Sequence, residues 1–330
     1  MSDTPVLVVG GAGYIGSHVC KALAEAGVTP ICFDTLEKGH AWAVRWGPLE
    51  QGDMGDAARL DDVFGRHRPR AVIHLAGYIE VGESVRQPER YLRNNFGNSE
   101  ILIAASIRHG VQALVFSSSC AVYGLPQAEL LAETHPFAPI NPYAQSKVGV
   151  ERALAAAADR RGLRAASLRY FNAAGADATG EIGEAHDPET HLMPLAVDAA
   201  LGLGPELTLW GDDYPTADGS CVRDFVHVSD LAQAHLRALA WLGRAANDGG
   251  RHEAFNLGSG SGYSVKQVLA ETARVVGRAV PHHVGPRRAG DSPRLVGDIS
   301  KAGRELDWRP TRDLARQIED TARWRRKMPR

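Results

Sequence analysis

The chain has 330 residues, of which 44% are hydrophobic, and this length exceeds that of one usual domain, so we predict two lobes. The 37 basic residues nearly balance the 39 acidic ones, and the net charge of -2 excludes a general attraction to nucleic acid or to an anionic membrane. No apolar run reaches the roughly 18 residues of a membrane span, and the four cysteines include no C-x-x-C pair, so we predict a cytoplasmic protein with reduced thiols and no metal site.

Short apolar runs alternate with longer helix-like segments through the first half of the chain. This spacing is typical of parallel strands joined by right-handed helical crossovers, which predicts an α/β fold with a Rossmann-type doubly wound parallel sheet. The predicted strands are VLVV at 6–9, ICF at 31–33, AVIHLA at 71–76, ALVFSSS at 113–119 and AASLRYF at 165–171. The predicted helices include residues 18–27, 57–67, 91–110 and 147–162.

A glycine-rich turn, GGAGYIG, follows the first strand directly and opens the first helix. Gly10, Gly13 and Gly16 permit a tight turn, let the backbone approach a pyrophosphate, and place that anion on a helix N-terminus. Asp34 follows the second strand, 18 residues after Gly16, where a carboxylate accepts hydrogen bonds from the hydroxyls of an adenosine ribose. No arginine follows within the next few positions, so the pattern favours NAD, while Lys38 leaves NADP open.

The segment NPYAQSK places a phenol and an ammonium one helical turn apart. In a helix that begins near Pro142, Tyr143 and Lys147 lie on the same face. A free phenol, with a pKa of about 10, is a poor base at neutral pH. The Lys147 ammonium and the positive ring of an oxidised nicotinamide both favour the phenolate, which predicts a general base for an alcohol proton. Ser119, at the end of the preceding strand, is placed to bind the same substrate oxygen.

The second half of the chain has a different pattern. Glycines, prolines and acidic residues crowd positions 175–190, and strand signals become rare beyond Asn172. We predict that residues 1–171 form the NAD-binding domain and that residues 172–330 form a smaller lobe, partly interleaved with the first, which binds the substrate at the carboxyl edge of the sheet.

A series of motifs runs in order along nearly the whole chain: GGAGYIGSH, VIHLAG, VGESV, FSSSCAVYG, NPYAQSK, RYFNAAGA, HLMP, GDDYPTADGSCVRDFVHVSDLA, FNLGSG and PRRAGD. Through these motifs the chain resembles the nucleotide-sugar epimerases among the extended short-chain dehydrogenases/reductases. The resemblance implies NAD-dependent 4-epimerisation of a UDP-sugar, such as UDP-galactose to UDP-glucose, by transient oxidation to a 4-keto sugar and re-reduction on the other face. It also implies a homodimer through the helices at 87–109 and 143–161.

The resemblance implies a role for each matching residue. Tyr143 would remove the proton of the sugar 4'-hydroxyl, Lys147 would lower the pKa of the tyrosine and bind the nicotinamide ribose, and Ser119 would bind the reacting oxygen. The other cofactor-binding residues would be Gly10, Gly13, Tyr14, Ile15, Gly16, Asp34, Asp53, Met54, Leu75, Ala76, Gly77, Asn94, Ser117 and Tyr170. The substrate would also meet Asn172, His191, Leu192, Thr208, Trp210, Arg223, Arg288, Asp291 and Leu295.

Two positions depart from the pattern of the hexose epimerases. Ile79 stands where many of them have a lysine, so UDP-xylose or UDP-arabinose is an alternative substrate. Leu295 stands where restrictive members have a tyrosine, which predicts partial tolerance of an N-acetyl group at C2. A dehydratase or decarboxylase is disfavoured because residues 119–121 read Ser-Cys-Ala, without an acid. A non-catalytic NAD-sensing module is disfavoured because Tyr143 and Lys147 are both present.

Overall fold

The apolar runs of the sequence form strands in a computed structural model, which describes residues 5–244, 249–288 and 290–329. All five strands predicted from the sequence are present, with ends that differ by at most two residues. Within these ranges the strands are β1 (Val6–Val9), β2 (Pro30–Asp34), β3 (Leu49–Gln51), β4 (Ala71–His74), β5 (Ala113–Ser119), β6 (Arg164–Tyr170), β7 (Asn172–Ala174), β8 (Leu207–Trp210), β9 (Val222–Arg223), β10 (Phe225–His227), β11 (Arg251–Leu257), β12 (Tyr263–Ser264), β13 (His282–Gly285) and β14 (Arg294–Leu295).

The predicted helices are also present, and three of them start earlier than expected. The first begins four residues before His18, and the one predicted at 147–162 begins at Pro142. The segment predicted at 91–110 begins at Pro88 and includes a π-helical stretch, Leu92–Gly97. The α-helices of the described residues are α1 (Tyr14–Glu25), α2 (Ala57–His67), α3 (Val81–Arg86), α4 (Pro88–Tyr91), α5 (Asn98–Arg108), α6 (Pro142–Arg161), α7 (Leu192–Leu201), α8 (Val228–Arg244), α9 (Val265–Val276), α10 (Ser300–Glu305) and α11 (Leu314–Lys327).

Seven parallel strands form the large sheet, in the spatial order β11-β6-β5-β4-β1-β2-β3. The chain runs outward from β1 through β2 to β3, and then returns to the other side of β1 to continue through β4, β5 and β6. The direction therefore reverses between β1 and β4, and ligands of doubly wound sheets bind in the crevice at such a point, beyond the carboxyl ends of the strands.

Both faces of the large sheet are covered by helices, as a parallel sheet requires. One apolar core packs α1 and α8 against the sheet and includes Val19, Leu231 and Trp241. The other contains side chains of α2, α5 and α6, such as Leu60 and Leu154. The long apolar runs of β1 and β5 are buried on both sides for this reason. None of the helices in the described residues is long and apolar enough to cross a membrane.

The remaining strands form three small sheets, β10-β7, β12-β9-β14 and β13-β8, beside a core built from α7, α9 and α11. The chain does not stay in this second lobe after residue 172, because α8 packs on α1 and β11 is the seventh strand of the large sheet. We therefore propose a division at residue 171, with α8 and β11 interleaved into the first lobe.

Candidate active site

The glycine turn lies at the point where the direction of the sheet reverses. Gly10 has a φ of +83°, and a Cβ at this position would lie 2.6 Å from the amide nitrogen of Ala76. A Cβ on Gly16 would lie 2.0 Å from the Gly10 carbonyl oxygen, so a side chain at either position would displace the backbone. Gly13 precedes α1 and provides no side chain to cap it. The first amides of α1 are therefore available to an anion.

Asp34 ends β2, and its carboxylate is held by the backbone. Its Oδ2 accepts a hydrogen bond from the Ala12 amide at 3.0 Å, and its Oδ1 accepts one from the Leu36 amide at 2.9 Å. Burial raises the pKa of Asp34, and the two backbone hydrogen bonds oppose that rise. The carboxylate is thus oriented before any ligand arrives, which suits the recognition of a ribose diol.

A cavity of about 360 Å³ extends from the glycine turn to the start of α6. All of the cofactor residues predicted from the sequence line it, together with the predicted catalytic group and two of the predicted substrate residues. In chain order they are Gly10, Gly13, Tyr14, Ile15, Gly16, Asp34, Asp53, Met54, Leu75, Ala76, Gly77, Asn94, Ser117, Ser119, Tyr143, Lys147, Tyr170, Asn172 and His191.

The start of α6 fixes the tyrosine and the lysine. Asn141 caps the helix by accepting a hydrogen bond from the Ala144 amide at 2.8 Å, and Pro142 occupies the first helical position. The Lys147 ammonium lies 5.7 Å from the centre of the Tyr143 ring and donates to the Ser117 carbonyl oxygen at 2.7 Å. The one-turn spacing predicted from the sequence therefore brings both groups beside the end of β5.

Burial changes the proton affinity of both groups. It raises the pKa of Tyr143 to about 12, although a hydrogen bond with Ser119 acts in the lowering direction. It lowers the pKa of Lys147 to about 8, while the charge of Glu151 opposes this. Burial is thus the largest influence on the pKa of Tyr143, and the lowering of that pKa by Lys147 and an oxidised nicotinamide stays a prediction.

A buried ion pair joins α6 to β6. Arg169 of β6 donates to both carboxylate oxygens of Glu151, at 2.9 and 2.6 Å, and the two side chains are only 5% and 1% exposed. Ser118 donates to the same carboxylate at 2.5 Å, and Tyr123 accepts from Arg169 at 3.0 Å. This network connects β6 to α6, which carries Tyr143 and Lys147, and to β5, which ends at Ser119.

The other predicted substrate residues lie outside this cavity, in the second lobe. Arg223 is 3.3 Å from Asp291 and pairs in register with Leu295. Arg288 stacks over Trp210 at 4.9 Å. The remaining two are Thr208, which is 3.2 Å from a ring nitrogen of His283, and Leu192, which packs into the second-lobe cores.

A segment outside the predicted site residues also lines the cavity. Residues 183–188 and Thr190 face it beside His191. The Ala185 carbonyl oxygen contacts His40 Nε2 at 2.8 Å, and the Asp187 carbonyl oxygen lies 3.4 Å from Lys38 Nζ. The sequence showed this stretch only as a loop rich in turn residues, so its approach to the loop after β2 was not foreseeable.

These residues fit a nicotinamide dinucleotide. The glycine cradle would be filled by any added Cβ, Asp34 presents an oriented carboxylate, and the buried Tyr170 hydroxyl has no hydrogen-bond partner among the described residues. The sheet, the cradle and the Tyr143–Lys147 pair together define the class of the protein, a nucleotide-dependent enzyme of the short-chain dehydrogenase/reductase type.

The chain belongs to the NAD dependent epimerase/dehydratase family, whose model matches residues 6–258. It is 50% identical over 327 residues to a UDP-glucose 4-epimerase of Rhizobium leguminosarum bv. trifolii, and the match covers 99% of both chains. Its structure is similar to that of a UDP-glucose 4-epimerase from Brucella ovis in complex with NAD, with a TM-score of 0.93, 46% identity and 97% of each chain covered. A UDP-glucose-4-epimerase from Stenotrophomonas maltophila, with bound NAD and formylated UDP-arabinopyranose, matches with a TM-score of 0.94, 40% identity and 98% of each chain covered.

Proposed function

We propose that the protein catalyses the NAD-dependent 4-epimerisation of a UDP-sugar and interconverts UDP-galactose and UDP-glucose. The observation that carries the proposal is a cavity that has the dinucleotide cradle of α1 at one end and Tyr143, Lys147 and Ser119 at the other. The names of the relatives, which match over nearly the full length of the chain, favour a hexose over the pentose and N-acetylhexosamine alternatives.

The chain's own residues would bind NAD and handle one proton. NAD, when bound, supplies a hydride acceptor that can return the hydride. Gly10, Gly13 and Gly16 would face the pyrophosphate, and Asp34 the adenosine ribose. Tyr143 would hold the proton of the 4'-hydroxyl on its phenolic oxygen. It would return this proton after the sugar has rotated to present its other face. Because the proton and the hydride both return, the reaction has no net redox change.

Substrate binding would involve the second lobe. Arg223 and Arg288 offer guanidinium groups suited to a diphosphate, and Asp291 offers a carboxylate to the uridine ribose. The separation of these groups from the cavity is consistent with a substrate that spans both lobes, with its sugar near Tyr143. Uracil would then lie near Thr208 and Trp210 and near His191 and Leu192. Asn172 would lie close to a phosphate.

The proposal is tested by following three substrates without added cofactor. Purified protein is incubated with UDP-galactose, UDP-N-acetylgalactosamine or UDP-arabinopyranose, and the 4'-epimers are separated by chromatography. We expect the fastest conversion with UDP-galactose, giving UDP-glucose. Preferred conversion of the pentose would reassign the substrate, with Ile79, which is 42% exposed in the cavity wall, as the first residue to change. Inactivity on all three, even with NAD supplied, would contradict the proposal.

Replacing Ser119 by alanine is expected to move the rise of kcat with pH to higher pH. Ser119 holds the pKa of Tyr143 down, so its loss raises that pKa, and below the pKa the phenolate fraction falls about tenfold per pH unit. The measurement is the pH profile of kcat. Ser118→Ala is the matched control, because the Ser118 hydroxyl bonds Glu151 instead. An unshifted profile in Ser119→Ala would contradict the role of this serine.

Replacing Leu295 by tyrosine is expected to lower turnover of UDP-N-acetylgalactosamine about tenfold while the UDP-galactose rate changes little. Leu295 packs against the core cluster that contains Cys120, next to Ser119, so a bulkier ring here reduces the space near the sugar. Parallel kinetics on both substrates check this, with Leu295→Met as the control of similar volume. The idea fails if the native protein does not turn over the N-acetyl substrate at high enzyme concentration.

We also propose a cytoplasmic location and a homodimer. All four cysteines lie in the described ranges and are buried and unpaired, which suits a reducing compartment. The helices assigned to the dimer contact carry an exposed leucine, Leu92. Cell fractionation tests the first proposal, and light scattering in solution tests the second, for which the mass of two chains is expected.

A further inference from the structure

Two glutamates and two histidines converge on the segment between β7 and α7. Glu184, His186, Glu189 and His191 each offer one ligand atom, and these four atoms all lie within 4.8 Å of one another. Oε1 of Glu184 is 3.0 Å from His186 Nδ1 and 2.7 Å from His191 Nδ1. Oε1 of Glu189 is 3.2 Å from His191 Nδ1 and 4.0 Å from His186 Nδ1.

The two carboxylates of the cluster are buried, and the two imidazoles are partly exposed. The side chains of Glu184 and Glu189 are 4% and 8% exposed, whereas those of His186 and His191 are 25% and 40% exposed. Within the described residues, Glu184 Oε1, His186 Nδ1 and Glu189 Oε2 have no hydrogen-bond partner, although the contacts to Glu184 are short. Buried polar atoms of native proteins are normally satisfied, and a cation between Glu184 Oε1 and His186 Nδ1, which are 3.0 Å apart without a well-formed hydrogen bond, would satisfy both of them together with Glu189 Oε2.

We propose that Glu184, His186, Glu189 and His191 form a binding site for a divalent transition metal of the zinc type. Zinc takes imidazole nitrogens and carboxylate oxygens at about 2.0–2.2 Å in a tetrahedron, which separates neighbouring ligand atoms by roughly 3.4 Å. The four nitrogen–oxygen separations, from 2.7 to 4.0 Å, bracket this value. The two buried carboxylates also balance the charge of a divalent cation.

The donor set selects the kind of cation. Magnesium and calcium take oxygen ligands, and two imidazoles among four ligands disfavour both of them. Imidazole with carboxylate suits zinc, copper, nickel or cobalt, and zinc in particular accepts a four-coordinate closed site. The expectation that the protein has no metal site rested on cysteine spacing, and this donor set contains no cysteine.

Without a cation, the same groups would form an ion-pair cluster. The carboxylate oxygens of Glu184 and Glu189 would then face the imidazole nitrogens directly, at the separations of 2.7 to 4.0 Å. The cluster holds a metal ion in one state and none in the other, and elemental analysis measures this difference directly.

The position of the site suggests a structural role. The bound metal would cross-link residues 184–191, a segment that contacts His40 and Lys38 through the carbonyl oxygens of Ala185 and Asp187. His186 also lies edge-on to Tyr14, with ring centres 6.4 Å apart, at the first residue of α1. By fixing this segment beside the dinucleotide cradle, the metal would slow the release of a bound cofactor. The metal would take no part in the chemistry.

Elemental analysis of tag-free, full-length protein tests the site. After incubation with zinc and extensive dialysis, we expect one zinc per chain, and after chelation and cobalt addition we expect the visible absorption of tetrahedral Co²⁺. His186→Asn and Glu189→Gln should each weaken binding at least tenfold. His283→Asn, at a histidine 3.4 Å from Glu206 and away from the cluster, is the matched control and should bind like the native protein.

The results separate a metal site from an ion-pair cluster. Zinc far below one per chain together with no tetrahedral Co²⁺ signal in the native protein would overturn the proposal, and so would equal binding by the native protein and both cluster variants. The cobalt spectrum needs no variant, so a folding defect in His186→Asn cannot obscure it. None of these measurements uses epimerase activity, so this inference and the proposed function can fail independently.

Discussion

Replacing Tyr143 by phenylalanine is expected to lower kcat for UDP-galactose about 10²- to 10⁴-fold, the usual contribution of general acid–base catalysis. The substitution removes only the phenolic oxygen that would hold the 4'-hydroxyl proton, and it keeps the buried ring beside Lys147. We therefore expect the protein to fold normally and to retain its cofactor. Single-turnover and steady-state kinetics with chromatographic separation of the epimers measure the loss.

The matched control is Tyr123→Phe. Tyr123 is another buried tyrosine, and its hydroxyl bonds Asn256 and Arg169 outside the cavity lining. Removing that hydroxyl affects stability by about 1 kcal/mol and should leave kcat within a fewfold of the native value. If Tyr143→Phe kept most of its activity, or if both variants lost activity equally, Tyr143 would not be the acid–base residue.

Replacing Arg169 by methionine is expected to lower the free energy of unfolding by about 3–5 kcal/mol. Glu151 is 1% exposed, and without its bidentate partner it would remain as a buried, uncompensated carboxylate. Ser118 alone cannot replace two charge-assisted hydrogen bonds. Denaturant unfolding followed by circular dichroism measures the change against the native protein.

Two further variants show whether the loss comes from the unpaired charge. Adding Glu151→Gln to Arg169→Met removes the buried charge and should recover part of the stability. Arg237→Met breaks an ion pair with Asp307 whose side chains are 48% and 84% exposed, and should cost less than about 1 kcal/mol. A loss in Arg169→Met no larger than that of Arg237→Met would contradict the assignment.

The burial of Glu151 also illustrates what sequence reasoning could not reach. In the sequence, Glu151 and Arg169 are separate charged residues in a predicted helix and a predicted strand, and nothing local pairs them. The pair forms because β6 lies next to β5 and α6 packs against both. The same holds for β11, which pairs with β6 from far along the chain.

Local chemistry determined several features from the sequence by itself. The apolar run of β1 followed by Gly10, Gly13 and Gly16 specified a strand, a tight turn and a helix, because only glycine permits such close backbone contacts. Asn141 and Pro142 specified the first residue of α6, since a capping side chain and a fixed φ act over a few residues.

Only the tertiary structure decided the electrostatics of the site. The i,i+4 spacing placed Lys147 beside Tyr143, but it could not show that burial raises the tyrosine pKa to about 12 and lowers the lysine pKa to about 8. Nor could any local spacing predict that residues 184–191 lie at the cofactor cavity. Helix caps and glycine turns depend on neighbours in the chain, whereas desolvation and the convergence of ligands depend on segments that meet only when the whole chain is folded.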